Sequence, residues 1–209
     1  MKIQLGIAVI FLLSLNSCSD DKLPVYGNKI AVTRTINGQQ LTDSIDYTLP
    51  SFSYFDQDSN QVDSNSIRHK ILVTEFFFTA CPSICPKMQA QMLRVYEKYK
   101  LNPDVMILAF TIDPARDSVG KLNAYAAKLG IESSKWHLLT GEKDSIYSLA
   151  ESFLVSAAED PDAPGGHVHS GNFILSDKKG RLRGYYDGVK EESVDKLLKE
   201  LNLLLEEKE

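Results

Sequence analysis

Residues 71–88 read Ile-Leu-Val-Thr-Glu-Phe-Phe-Phe-Thr-Ala-Cys-Pro-Ser-Ile-Cys-Pro-Lys-Met. The first part, residues 71–78, is short, aromatic and β-branched, which is typical of a buried strand. This strand leads into a turn that contains two cysteines, and a helical pattern follows. Loops at the end of a rigid strand often carry the reactive side chains of a protein. We therefore expect the chemistry of this chain in the cysteine turn.

The two cysteines, Cys81 and Cys85, suit either a disulfide or a soft metal ion. In a regular helix their Cα atoms would lie roughly 6 Å apart, near the upper end of the disulfide range. A metal ion with thiolate bonds of about 2.3 Å needs such a wider separation. Because Pro82 and Pro86 each follow a cysteine, we expect the helix to begin near Pro86. Cys85 would then lie at the helix N-terminus, where the helix dipole is expected to lower its pKa.

Length and charge limit the class of protein. The 209 residues suffice for one domain with a sizeable core. The net charge of −5 gives no basic surface for nucleic acid, so we exclude that partner.

The first residues resemble an export signal. Lys2 precedes an apolar stretch, residues 3–15, that is too short for a membrane span. Residues 15–18, Leu-Asn-Ser-Cys, resemble a bacterial lipobox, which implies cleavage before Cys18 and lipidation of its thiol. We therefore predict a signal peptide over residues 1–18 and an exported, membrane-anchored lipoprotein that faces the periplasm. A disulfide between Cys81 and Cys85 is permitted in that compartment.

The rest of the chain divides into an extension and one domain. We assign residues 19–43 to a linker and a β-hairpin that turns at Asn37-Gly38. Residues 44–209 form the domain, in which strands alternate with helices before a β-hairpin and a final helix. This order predicts an α/β fold with a central mixed sheet flanked by helices. We expect a helix over 119–129, with Asp117 or Ser118 as its N-cap, and a loop over 159–168.

Two thiolates alone leave a metal site under-coordinated, and the four histidines are the candidates for a third ligand. His69 in a polar turn is expected to be solvated, and His137 to be a packed or surface residue. His167 and His169 enter a strand from a glycine-rich loop, and we expect that loop to approach the cysteine turn at the rim of the sheet. One of these two histidines is therefore predicted to bind a metal ion with the two thiolates.

The donor set favours a soft metal. Two thiolates and one imidazole suit copper, Cu(I) above all, better than Mg²⁺ or Ca²⁺. Zinc, which usually has four protein ligands in a structural site, stays open if both His167 and His169 bind it. Met88 and Met92 are thioether candidates, but their helical spacing favours a position in the core.

The motifs together resemble the Sco/SenC family from about Tyr47 onward. They are residues 79–86 (Thr-Ala-Cys-Pro-Ser-Ile-Cys-Pro), residues 111–117 (Thr-Ile-Asp-Pro-Ala-Arg-Asp), and His169-Ser170 before residues 173–180. The resemblance implies a thioredoxin-like fold in its peroxiredoxin-like variant, with the β-hairpin as an N-terminal extension. It also implies membrane attachment and copper, as Cu(I) or Cu(II), bound by Cys81, Cys85 and His169. Family members often have Asp where this chain has Val168, which leaves His167 as an alternative ligand.

The resemblance further implies a role in maturing the copper centre of cytochrome c oxidase. The protein would deliver copper, or it would reduce the client's cysteines through the redox pair Cys81 and Cys85. The spacing does not decide which cysteine attacks. Thiol peroxidase activity and a copper or redox sensor are the remaining alternatives. The partner is expected to be the copper-centre subunit or another copper or thiol protein, and the chain to be a monomer.

Overall fold

The computed structural model describes residues 22–207. The predicted signal peptide and the lipidation site Cys18 lie outside the described residues. Among residues 22–207, none of the helices combines the length and the apolar character that crossing a membrane requires.

The described residues form eleven strands and four helices. In chain order, strands β1 to β11 span Ile30–Ile36, Gln39–Ile45, Ser53–Phe55, Gln61–Asp63, Ile71–Phe77, Val105–Thr111, Trp136–Leu139, Ala157–Glu159, His167–His169, Asn172–Ser176 and Leu182–Asp187. Helices α1 to α4 span Cys85–Tyr99, Val119–Leu129, Lys143–Ser152 and Glu191–Glu206.

Five strands form the central sheet, in the order β11-β10-β5-β6-β7. Strands β5, β6 and β7 are parallel, whereas β10 runs antiparallel to both β5 and β11. Every residue of β5 is buried, so both faces of the sheet are covered at its centre. This mixed sheet with its flanking helices confirms the α/β fold expected from the sequence.

The N-terminal hairpin is formed by β1 and β2. Asn37 and Gly38 both have positive φ, 51° and 78°, as a two-residue hairpin turn of this type requires. Almost all of its residues are exposed. The hairpin is therefore stabilised mainly by its own strand pairing.

One local prediction needs correction, and the structure decides between the two predicted N-caps of α2. Residues 159–168 are not a simple loop, because β8 pairs antiparallel with β9 and both histidines, His167 and His169, lie in β9. Ser118 is the N-cap of α2 and accepts from the backbone N–H of Lys121. Asp117 is fully buried and bonds elsewhere.

The methionines of α1 belong to the core. Met88 and Met92 are both completely buried, on the same helix face as Val95 and Tyr99. The helical spacing in the sequence predicted this position.

Candidate metal centre

The cysteine turn follows β5 at the carboxyl end of the strand. Cys81 lies in the turn, and its backbone N–H donates to the Phe78 carbonyl oxygen at 3.3 Å. Cys85 is the first residue of α1, with Pro86 in the first turn, where the missing N–H of proline costs no hydrogen bond. The sequence predicted both positions.

A third candidate ligand, His169, lies in β9. One ligand atom each of Cys81, Cys85 and His169 lie within 4.8 Å of one another. The Nε2 atom of His169 lies 3.5 Å from the Cys85 Sγ atom. Both cysteines are free thiols in this structure.

The imidazole of His169 is oriented by the backbone. Its Nδ1 atom lies 3.0 Å from the Ser170 carbonyl oxygen, and since a carbonyl can only accept, Nδ1 carries the hydrogen. In the neutral ring Nε2 then carries the free lone pair, and this atom faces the thiols. Burial lowers the pKa of His169, against the effect of the Ser170 carbonyl and together with the charge of His167, which favours the neutral ligand form.

The two thiols differ in their environment. Burial raises the pKa of Cys85, which is only 1% exposed, and its hydrogen bond to Cys81 acts in the same direction. At Cys81, which is 8% exposed, burial is outweighed by hydrogen bonds to Cys85 and Ser83, and the pKa of Cys81 lies below its usual value. The prediction that the helix N-terminus lowers the pKa of Cys85 is therefore wrong, because burial of the thiol and its hydrogen bond to Cys81 raise this pKa.

The remaining histidines lie outside this cluster. His167 is adjacent to it, but its Nδ1 atom lies 3.3 Å from the Tyr147 hydroxyl and its Nε2 atom 3.7 Å from an Asp113 carboxylate oxygen. His137 lies 3.0 Å from the buried Asp56 carboxylate, and His69 is exposed.

Phe78 packs between the cysteine turn and the histidines. Its buried ring lies 5.2 Å from the ring of His167 and 5.9 Å from that of His169, measured between centroids. Gly165, which has φ +85°, lies so close that a Cβ atom there would be 2.7 Å from Phe78 Cε2. Only a glycine fits both this conformation and this approach.

Asp117 fixes the start of the cysteine turn. Its carboxylate accepts from the Thr79 N–H at 3.0 Å, from the Thr79 hydroxyl and from the Thr111 hydroxyl at 2.6 Å. Thr111 ends β6, so this buried carboxylate joins two neighbouring strand ends. Sequence reasoning named Asp117 as one of two possible helix caps and as part of the motif at residues 111–117, and it missed this contact with the cysteine turn.

Glu75 is a second acidic group that sequence reasoning missed. It lies in β5, completely buried, with one carboxylate oxygen 3.0 Å from the Gln89 amide nitrogen and the other without a partner. Burial raises the pKa of Glu75 to about 8, against the effect of Gln89. Its charge in turn raises the pKa of Cys85 and of Tyr125. An acidic residue inside an apolar strand was the available signal.

Comparisons with known proteins agree with this fold. The SCO1/SenC family model matches residues 42–206. The central mixed sheet, the flanking helices and the cysteine turn after β5 define a thioredoxin-like protein, and the chain belongs to the SCO1/SenC family.

Solved structures that are similar to the chain include three from the Sco family. A SCO1/SenC family lipoprotein from Bacillus anthracis is 26% identical with a TM-score of 0.69, covering 76% of this chain and 95% of its own. BsSco, a member of the Sco family of cytochrome c oxidase assembly proteins that has a disulfide switch, is 28% identical with a TM-score of 0.67, covering 79% and 98%. Copper-bound ScoI from Arabidopsis thaliana is 26% identical with a TM-score of 0.62, covering 74% and 98%.

Replacing Asp117 tests its contribution to the cysteine turn. In Asp117→Asn, only one oxygen remains for three donors, and we expect the free energy of unfolding to fall by about 2 kcal/mol, as for a buried donor left unpaired. Denaturant unfolding measures this change. Asp43→Asn, on the exposed strand β2, is the matched control and should change the value by less than about 0.5 kcal/mol. Equal effects of the two variants would contradict the assignment.

The raised pKa of Glu75 predicts a pH dependence. Between the unfolded pKa of about 4.3 and the folded value of about 8, the folded state binds an additional proton, so stability falls as pH rises. We expect the wild type to lose a few kcal/mol across this range relative to Glu75→Gln, which cannot ionise. Urea unfolding from pH 4.5 to 8 measures the difference.

The control for this experiment is Glu97→Gln, because the Glu97 side chain is exposed and pairs only with Lys100 among the described ion pairs. Its difference from the wild type should stay nearly flat with pH. If the difference in stability between the wild type and Glu75→Gln is also flat with pH, Glu75 is already ionised in the folded protein across this range.

Proposed function

We propose that this protein binds copper through Cys81, Cys85 and His169 and serves the assembly of cytochrome c oxidase. The observation that carries the proposal is the convergence of two thiols and one imidazole within 4.8 Å at the end of β5. Two sulfur donors and one nitrogen donor form a soft set that suits copper. Copper-bound ScoI and the oxidase-assembly protein BsSco, both similar to this chain, support the metal and the client.

The residues of the site have different tasks in holding the ion. Cys81 and Cys85 lose their protons when they bind a cation, so affinity rises with pH. His169 needs no deprotonation, because its Nε2 lone pair already faces the thiols. Delivery follows when the thiolates of a partner replace these ligands one at a time.

Reduction of the client's cysteines is the second candidate, and the unequal thiols favour a specific order. Cys81 is the more exposed and more acidic thiol, so its thiolate attacks a sulfur of the partner disulfide, and one partner sulfur leaves as thiolate. Cys85 then attacks Cys81, which forms the Cys81–Cys85 disulfide and releases the second partner sulfur. Two electrons pass to the partner, and both thiol protons are available to its new thiols.

The membrane tether is part of the proposal. Cys18, at the end of the lipobox-like residues 15–18, would carry the lipid, and residues 19–29 would connect it to the hairpin. The similar Bacillus anthracis protein is a lipoprotein, which supports this assignment. Metabolic labelling with a radioactive or clickable fatty acid tests it, because Cys18→Ser should abolish the label.

A Cu(I) competition titration tests the carrier function. The reduced full chain, in detergent and without oxygen, should bind one equivalent tightly. We expect His169→Ala to weaken binding by more than about tenfold, because even loss of a hydrogen-bonding partner of a metal ligand costs that much. The double variant Cys81→Ser/Cys85→Ser should lose tight binding altogether.

The matched control is His69→Asn, which removes an exposed imidazole and keeps a residue type that tolerates positive φ, here 63°. It should bind copper as the wild type does. His167→Ala should weaken binding less than His169→Ala, and equal losses would show that His167 is also a ligand. No tight binding by the reduced wild type would refute the carrier function and leave thiol–disulfide exchange.

Differential alkylation tests the order of attack. Brief treatment of the reduced protein with iodoacetamide, followed by peptide mass spectrometry, should find the label mainly on Cys81. Its thiol is more exposed and has the lower pKa, and the thiolate is the reacting form. In 6 M guanidinium, as control, the two cysteines should react at similar rates. Preferential labelling of Cys85 in the folded protein would reverse the proposed order.

A further inference from the structure

The histidine ligand belongs to a part of the chain that the central sheet does not include. His169 ends β9, which among residues 22–207 pairs only with β8, in a separate two-stranded sheet. The thiols, in contrast, follow β5 in the middle of the central sheet. Other contacts must therefore fix the distance between the imidazole and the thiols.

Arg116 makes one such contact. Its Nη2 atom donates to the Gly165 carbonyl oxygen at 2.6 Å, two residues before β9 begins. Its Nε atom donates to the Asp113 carboxylate. The guanidinium thus links the loop before β9 to the turn between β6 and α2, and its fork shape allows both bonds at once.

His167 makes a second contact with the same turn. Its Nε2 atom lies 3.7 Å from the Asp113 carboxylate, and its Nδ1 atom lies 3.3 Å from the Tyr147 hydroxyl. That hydroxyl donates to the Ile112 carbonyl oxygen at 3.0 Å. The two groups beside His167, the Asp113 carboxylate and the Tyr147 hydroxyl, therefore both form hydrogen bonds with residues 112–116. The His167 side chain is only 8% exposed.

The same turn also holds the cysteines. Asp117 bonds the backbone and side chain of Thr79, two residues before Cys81. Residues 111–117 thus contact the segment before the thiols and the segment before the imidazole.

We propose that Asp113, Arg116 and His167 are positioning residues that set the distance between the His169 imidazole and the two thiols. The inference rests on the proposed copper function, and it assigns to His167 a supporting contact rather than a metal bond. A loop that is already held in place loses less freedom when the ion binds, so affinity is higher.

Substitution of Arg116 tests this proposal in the full chain. We expect Arg116→Ala to weaken Cu(I) binding about tenfold, the lower end for residues that support a metal ligand, and to shift the thiolate-to-copper absorption of the Cu(II) form. Arg116→Lys should recover part of the affinity, because it keeps the charge beside Asp113 but lacks the fork that also reaches Gly165.

Arg94→Ala is the matched control. Arg94 is also a partly exposed arginine paired with a carboxylate, that of Asp195, but it lies on α1 and contacts neither loop in the described hydrogen bonds. It should leave copper affinity and absorption unchanged. A second variant, Gly165→Ala, should weaken binding as well, since its new Cβ atom would displace the loop from Phe78.

A measurement on the metal-free protein separates this inference from the proposed function. The N–H groups of Gly166 and Ser170 donate to Ala163 and Ser156, and their hydrogen exchange should be faster in Arg116→Ala while exchange in β5 is unchanged. If the wild type binds no copper, the proposed function fails, and exchange alone decides the proposal. Wild-type exchange and wild-type affinity in Arg116→Ala would overturn it.

Discussion

The buried carboxylate of Asp117 is the constraint on which the site depends. A charge without solvent is tolerated only when several donors satisfy it. Here the donors come from Thr79, two residues after β5, and from Thr111, the last residue of the neighbouring parallel strand β6. The carboxylate therefore holds the cysteine turn in register with the sheet. Cys81 can then lie in the turn while Cys85 begins a helix, and both thiols point to the same small region.

Burial explains how such a site remains ready for a soft cation. Phe78 and the rest of the core exclude water, and the buried Glu75 adds unfavourable electrostatics for a thiolate at Cys85. In this environment an anion is costly unless a cation lies beside it or the sulfur forms a covalent bond. The same residues therefore suit a metal ion and a disulfide. The more exposed Cys81 provides the point of entry for either reaction.

Sequence patterns predicted the scaffold better than the electrostatics. The apolar strand, the proline positions and the Asn-Gly turn are local signals, and the structure confirms the elements they predict. The pKa of Cys85 was predicted in the wrong direction because the helix dipole is visible in a sequence and the depth of burial is not. The contact of Asp117 with the cysteine turn was missed for a similar reason, since its partner Thr79 is 38 residues away along the chain. The three-residue pairing around His169 is too short to leave a periodic signal.

The division of the site between two sheets bears on the proposed carrier function. A carrier must hold its ion firmly enough to keep it and must also release it, and ligand exchange requires that one donor withdraws while the others remain. The two thiols are fixed by the central sheet and by Asp117. His169 instead belongs to the separate β8–β9 pair, 84 residues from Cys85 along the chain. Under the proposed carrier function, the imidazole is therefore the donor that we expect to withdraw, because the β8–β9 pairing and side-chain contacts hold it and the hydrogen bonds of the central sheet do not.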